Sequence, residues 1–381
     1  MDLRPFEQSP SGRLVRSRYE GTEYWAFVPD PLPPALAFDP ELVRTLSDAD
    51  RALGELAGLG RTLPNPHLLI RPFIHREAVL SSRIEGTQAN IADLYAYEAG
   101  QIPLPGFRST PLKSDVREVL NYVRALEYGL ERVEALPISL RLMHELHERL
   151  MEGVRGERSH PGEFRRIQNY IGIDVPSATM HEALDAFERY LHTDDSYPPL
   201  IRIAFIHYQF EAIHPFLDGN GRIGRLLISL LLVHWNLLPL PLLYLSAFFE
   251  RHRQDYNDLL FAVSARGAWR EWLLFFLRGV VEQARDAVQR ARRLQDLQQE
   301  WHEQLAQARA SALALRLVDS LFASPILTIP LAQRALGVTY PTAQRTVQKL
   351  VEEGVLRPEA GVSYGRLFFA DEILRVIEWK I

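Results

Sequence analysis

His214-Pro215-Phe216-Leu217-Asp218-Gly219-Asn220-Gly221-Arg222-Ile223-Gly224-Arg225 is the stretch on which the fold of this 381-residue chain turns. It lies between two apolar runs that read as helices, Leu200 to Ile213 and Arg222 to His234, and Pro215, Gly219 and Gly221 force an irregular loop between them. Glycines let backbone N–H groups approach an anion, and the helix that follows aims its positive end at the same point. Arg222 and Arg225 stand three apart in the first turn of that helix, so both guanidinium groups can flank the anion. The spacing is not that of a Walker loop, but it is a phosphate cradle. Asp218 is a suitable ligand for magnesium, a hard cation that takes one or two carboxylates plus phosphate oxygens. His214, ending the preceding helix, can reach the same cavity as a base near neutrality.

Outward from this loop the chain reads as mainly helical, with a small hairpin. Upstream, helices are expected from Glu41 (Leu42, Leu46, Ala49, Leu53 and Leu56 on one face), over Pro72 to Glu85 with Gly86 as the stop, and over Val116 to Tyr128, Ser139 to Met151 and Thr179 to His192. The segment from Ser159 to Ala178 reads as a hairpin or loop with strand character, and Tyr24 to Val28 as a short strand or an extended wrap. A polar run from about 282 to 310 reads as a long solvated helix acting as a connector. Pro330 to Leu336, a turn at Gly337, and Pro341 to Glu353 have the form of a helix-turn-helix, with strands expected at Gly354 to Leu356 and Ser363 to Phe369 to make it winged. The expected division is 1–115 as an N-terminal extension, 116–285 as a core, 286–320 as the connector and 321–381 as the winged unit.

Composition sets the outer limits. With 47% hydrophobic and 24% charged residues the chain can bury a core, and with no cysteine it has no disulfide, thiol nucleophile, thiolate zinc site or iron–sulfur cluster. A net charge of -5 argues against nucleic-acid binding by bulk charge. Only three of the 43 basic residues are lysine, an excess of arginine that codon bias explains for most of them. The amino terminus lacks a basic-then-apolar signal pattern, so a cytoplasmic protein is expected. The most apolar stretch, Leu226 to Leu245, is broken by His234, Asn236, Pro239 and Pro241; it reads as a core helix and loop, with no membrane partner.

At every defined position the twelve residues quoted first resemble the signature of the Fic (Fic/Doc-type) proteins. The likeness covers about residues 70 to 280. Pro161 to Gly172 is similar to the flap that in this family lies over the nucleotide and holds the target segment as an added strand. Tyr256 and Asn257, with Arg266-Gly267-Ala268-Trp269 downstream, look like the region bordering the adenine. The resemblance implies a Fic-type helical core with a β-hairpin flap, and transfer of AMP from ATP to a Ser, Thr or Tyr hydroxyl of a protein, with pyrophosphate released. In that scheme His214 takes the hydroxyl proton and Asp218 holds Mg2+. Gly219, Asn220, Gly221, Arg222, Ile223, Gly224 and Arg225 bind ATP, joined by Ile171, Gly172, Ile173 and Asp174 of the flap and by Tyr256 and Asn257.

Ser81-Ser82-Arg83-Ile84-Glu85-Gly86 resembles the family's inhibitory pattern, in which Ser81, Glu85 and Gly86 are the defining positions. This implies that Glu85 pairs with Arg225 in the place of the γ-phosphate. The chain departs from the family at Val175-Pro176-Ser177, with one proline where many relatives have two, and at Asn257, where a second tyrosine is common. Implied partners are ATP and a protein substrate, which can be the chain itself, with a homodimer and DNA as further candidates.

Two other readings compete. His207, Glu211 and His214 fall at i, i+4 and i+7 and could bind zinc as a hydrolase would. A transcription regulator would instead use Thr342, Gln344, Arg345, Gln348 and Lys349 of the second C-terminal helix. Residues 325–381 hold seven basic and six acidic residues, a thin balance for phosphate tracking.

Overall fold

Residues 3–19, 22–62, 67–100, 113–154, 160–166, 175–361 and 366–378 are described by a computed structural model of the chain. After a single 3-10 turn (Arg4–Phe6) comes an antiparallel hairpin of β1 (Gly12–Tyr19) and β2 (Thr22–Pro29), with Leu14 opposite Phe27. Tyr24 to Val28 is therefore a strand. Its Phe27 packs with Phe6 and Ala265, while Val28 reaches the main core.

The N-terminal helices are α1 (Pro40–Thr62), α2 (His67–Ile84), α3 (Ile91–Glu98) and α4 (Lys113–Val133). The α2 helix begins ahead of Pro72, which sits inside it. Proline costs one intrahelical bond, and the burial of Leu69 and Phe73 on either side outweighs that loss. A capping box of Asn90 and Asp93 starts α3, a short helix that apolar periodicity alone does not mark. Next come α5 (Leu140–Leu150), α6 (Ser177–His192), α7 (Pro199–Ile213) and α8 (Asn220–His234). Most residues of α7 are buried, so it is the central helix rather than a surface one. Two further helices, α9 (Ser246–Arg251) and α10 (Arg253–Arg266), lead to α11 (Trp269–Gln307).

The expected solvated connector is corrected here. Residues 282 to 307 are the last two thirds of the 39-residue α11, and Ala284, Ala287, Ala291, Leu294, Leu297, Trp301 and Leu305 are buried along it. Steps of three and four place these few apolar side chains on one seam, against α1 and α12 (Ala312–Ala323). A polar composition hides such a seam because only about a third of the residues need to be apolar.

The C-terminal unit continues with β3 (Ile326–Leu327), α13 (Ile329–Leu336), α14 (Tyr340–Glu352), β4 (Arg357–Pro358), β5 (Phe368–Phe369) and α15 (Asp371–Glu378). Gly337, at φ 67°, makes the turn between α13 and α14, as the helix-turn-helix reading expects. The three two-residue strands form an antiparallel sheet in the order β3-β5-β4. Gly354 to Leu356 is not a strand; Val355 and Leu356 are buried and pairing starts at Arg357. Residues 362–365 of the other expected strand lie outside the described residues. Both β3 and α15 are additions to the expected unit. That unit is docked rather than tethered: α12 packs on α2, α15 on α2 and α11, and β3 on α3, within one core running from Val28 to Ile377. Among the described residues no helix is long and apolar enough to cross a membrane.

Substituting Leu297→Ala distinguishes a buried seam from a solvated connector. Burial predicts a loss of about 2–5 kcal/mol in urea unfolding, whereas an exposed position would change stability by less than about 0.5 kcal/mol.

Candidate functional site

The site begins where α7 stops. His214 adopts a left-handed conformation (φ 50°, ψ 61°), which reverses the chain after the last helical turn and takes the histidine out of register with α7. Arg165 holds this corner. Its buried guanidinium donates from Nε to the carbonyl of His214 at 2.8 Å and from Nη2 to the carbonyls of Ile213 at 3.3 Å and Val175. The Arg165 N–H adds a bond to the carbonyl of Pro215 at 2.8 Å. The last carbonyls of a helix lack partners and carry partial negative charge, so a buried cation there satisfies both needs. Burial pushes the His214 imidazole below its ordinary pKa against the pull of the Glu211 carbonyl, and Arg165 pushes the same way. His214 is thus neutral at neutral pH, the form a base requires.

The loop itself is rigid. Asn220 accepts from the Phe216 N–H and donates to the Phe216 carbonyl, both at 2.8 Å, so one side chain closes the turn as a strand partner would. Phe216 is buried and stacks on His147 of α5 with ring centres 3.8 Å apart. His147 Nε2 donates to the carbonyl of Asp218 at 3.0 Å, and its Nδ1 accepts from the Gly162 N–H at 2.9 Å. An imidazole that accepts at Nδ1 is neutral, and burial pushes its pKa down to about 4. His147 therefore ties Asp218 to the first residues of the expected flap.

Gly219 (φ 80°) precedes α8, whose first N–H groups lack intrahelical partners. Asp218 is half exposed: Oδ1 accepts from the Gly219 N–H at 2.6 Å and from Arg222 at 3.4 Å. A surface carboxylate beside an anion-binding helix end fits a hard cation shared with phosphate oxygens, and it is one ligand rather than a cage. Among the described residues no cluster of three or more His, Asp or Glu could hold a metal ion. Arg222 is buried, with Glu118 of α4 at 3.7 Å, and its Nε and Nη1 have no hydrogen-bond partner among the described residues.

Arg225, also buried, donates from Nε to Ser81 Oγ and from Nη2 to the Ser81 carbonyl, each at 2.9 Å, and from Nη2 to Glu85 Oε1 at 2.7 Å. Partial desolvation would raise the pKa of the half-exposed Glu85, yet Arg225 holds it below the usual carboxylate range. A Cβ on Gly221 would meet Glu85 Oε1, so the carboxylate lies against the first turn of α8 and a larger residue there would displace it. Gly86, at φ 101°, turns the chain immediately after Glu85.

Several expected contacts fall elsewhere. Ile223 lies in the core, and Gly224 gives room to Glu211 rather than facing the anion. Tyr256 is buried, donating its hydroxyl to His207 Nε2 at 2.8 Å, whereas Asn257 is exposed. Ile171, Gly172, Ile173 and Asp174 lie outside the described residues, and residues 160–166 of the expected flap contain no strand. The zinc reading is corrected. His207 Nδ1 donates to the Gly224 carbonyl at 3.1 Å and Nε2 is taken by Tyr256, leaving no free lone pair, while the left-handed turn carries His214 away from that face. Of the candidate DNA-reading side chains, Gln344 and Arg345 are exposed, Thr342 bonds Thr339, and Gln348 and Lys349 are held by Glu352 and Glu353. The sequence reading misses His147 and the anchoring role of Arg165. A histidine on one amphipathic helix and an arginine in a loop carry no local mark of a partner 71 or 49 positions away.

Two family models match the chain, one described as Fic/DOC family N-terminal over residues 43–131 and one as Fic/DOC family over residues 137–232. A protein adenylyltransferase Fic from Drosophila persimilis is 39% identical over 121 residues, 30% of this chain and 23% of that protein. The chain thus spans about a quarter of the length of the curated relatives it matches. A solved Fic family protein from Desulfovibrio desulfuricans G20 aligns with a TM-score of 0.56 at 19% identity, over 89% of this chain and 98% of that one. Fic-1 from C. elegans aligns with a TM-score of 0.55 at 22% identity, over 68% and 75%. At these identities the structural likeness is one of fold.

Glu211 gives the site a pH signature. Its Oε1 is buried without a partner, and burial pushes its pKa up to about 7 from an ordinary 4.5. The unfolded chain releases this proton first, so the contribution of Glu211 to stability falls as pH rises from about 4.5 to about 7 and is constant above. Glu211→Gln should therefore gain on wild type by about 3 kcal/mol in urea unfolding between pH 4.5 and pH 8. Parallel pH profiles for the two proteins would contradict this.

Proposed function

Starting from a chain that is a Fic domain protein, we propose that it transfers AMP from ATP to a side-chain hydroxyl of a protein and that Glu85 restrains this activity. The observation that carries the reading is the convergence, on one loop, of a neutral His214 with the first turn of α8 and its two buried arginines. The curated relatives named protein adenylyltransferase support the choice of reaction.

The chemistry follows from the groups present. The α8 N-terminus, with its unpaired N–H groups and with Arg222, whose Nε and Nη1 make no hydrogen bond among the described residues, receives the ATP phosphates. His214 takes the proton of the target hydroxyl as that oxygen bonds to the α-phosphorus. The bond from the α-phosphorus to the bridging oxygen breaks, and pyrophosphate leaves with the electron pair. Arg165 fixes the imidazole by holding the carbonyls of Ile213 and His214 on either side of its Cα. Asp218 would hold Mg2+, which when bound neutralises phosphate charge.

Glu85 is the counterforce. Its carboxylate satisfies Arg225 and lies against Gly221, so negative charge already occupies part of the anion site. Three phosphates bound in line for attack require Arg225 to exchange a carboxylate for a phosphate oxygen, and Glu85 to move.

With ATP labelled on the α-phosphate, the purified protein should acquire label, and γ-labelled ATP should leave none. His214→Ala should lower the rate by about 10²- to 10⁴-fold, and label persisting in that variant would remove His214 as the base. Glu85→Gly should raise incorporation by about tenfold or more; an unchanged rate would end the restraint reading.

A further inference from the structure

The helix α2, which carries Ser81 and leads directly into Glu85, is gripped from both sides. Ser81 and Arg76 are five residues apart, which at 100° per residue puts them about 140° apart around α2, and Glu85 follows directly on the last residue of that helix. On one face Arg225 holds Ser81 and Glu85. On the other, Arg76 Nη1 lies 3.3 Å from Asp286 Oδ2 of α11. Asp286 also takes a two-pronged bond from Arg290, Nε to Oδ2 at 2.7 Å and Nη2 to Oδ1 at 2.8 Å. The remaining nitrogen of Arg290, Nη1, donates to the carbonyls of Val376 and Ile377, the latter at 3.2 Å. Those are end carbonyls of α15, which have no partner within their own helix.

A continuous polar chain therefore joins the C-terminal unit to the back of α2, through a nearly buried carboxylate shared by two arginines. Packing runs in parallel, since α12 and α15 both rest on α2. Moving α2 away from α8 requires Arg76 to leave Asp286, a separation opposed by the low-dielectric surroundings of the pair.

We propose that Asp286 and Arg290 are positioning residues for Glu85: through them the C-terminal unit holds α2 in the place where its carboxylate meets Arg225. The proposal rests on the reading of Glu85 as a restraint on phosphate binding. It makes the C-terminal unit part of the enzyme's restraint rather than an appended module.

The test uses full-length protein throughout. Arg76→Met removes the link at α2, keeps the aliphatic stem and leaves Asp286 paired with Arg290. Arg290→Lys keeps the charge that Asp286 needs, so the buried site stays neutralised, but loses the fork that reaches the α15 carbonyls. Each is measured for incorporation from α-labelled ATP, alone and combined with Glu85→Gly, with melting temperature as the check on folding. Both single variants should raise incorporation by about tenfold, and neither should add to Glu85→Gly, because the same restraint is already gone. If Glu85→Gly itself has no effect, the restraint reading falls. If Glu85→Gly activates and Arg290→Lys does not, the C-terminal unit does not position α2. An activation that multiplies with that of Glu85→Gly also overturns the proposal, because it would then act by another route. Should Arg76→Met fail to fold, Arg76→Lys, which shortens the reach to Asp286 with charge retained, decides in its place.

Discussion

A guanidinium buried in the middle of a helical protein must be answered by acceptors, and Arg225, which takes a carboxylate among them, sets that requirement for this fold. Removing such a charge from water without a partner costs several kcal/mol. Arg225 finds its partners in Ser81 of α2 and in Glu85 just beyond its end, and the N-terminal layer is therefore fastened to the central pair α7 and α8. The same demand recurs behind α2, where Asp286 answers both Arg76 and Arg290 and draws in the end of α15. Charge satisfaction thus orders the layers outward from the loop at 214–225, while apolar burial fills the space between them.

The loop combines flexibility in sequence with rigidity in place. Glycines at 219 and 221 allow a left-handed turn and a close carboxylate, yet Asn220 and His147 fix the loop by four hydrogen bonds and Arg165 fixes the end of α7 before it. Preorganisation of this kind is what a phosphate-transfer site needs, because donors aimed at developing charge act without reorganising. His214, its pKa lowered by burial, stands at the start of the same loop.

Much of this is legible in the chain. The loop's residue types and spacing are local facts, and the helices around it follow from steps of three and four. The pairing of Glu85 with Arg225 is legible only through the family pattern, which supplies a partner 140 positions away. Other features resist reading for identifiable reasons. Two-residue strands such as β3 carry no alternation to detect, and the buried seam of α11 is hidden in an Arg- and Gln-rich run. The family likeness puts Tyr256 at the nucleotide border, yet its hydroxyl is spent on His207, a contact 49 residues away that no local pattern encodes.

The sequence by itself determined the glycine- and arginine-rich loop at 214–225, the helical class and the exclusion of thiol chemistry, because glycine, histidine, arginine and the absence of cysteine act through intrinsic geometry and reactivity. Only the tertiary structure decided which helix covers the anion site, that His147 and Arg165 brace it, and that the C-terminal unit lies against α2. Those outcomes depend on which buried donors and acceptors find each other across the core, and a buried polar group chooses its partner by position in space rather than by distance along the chain.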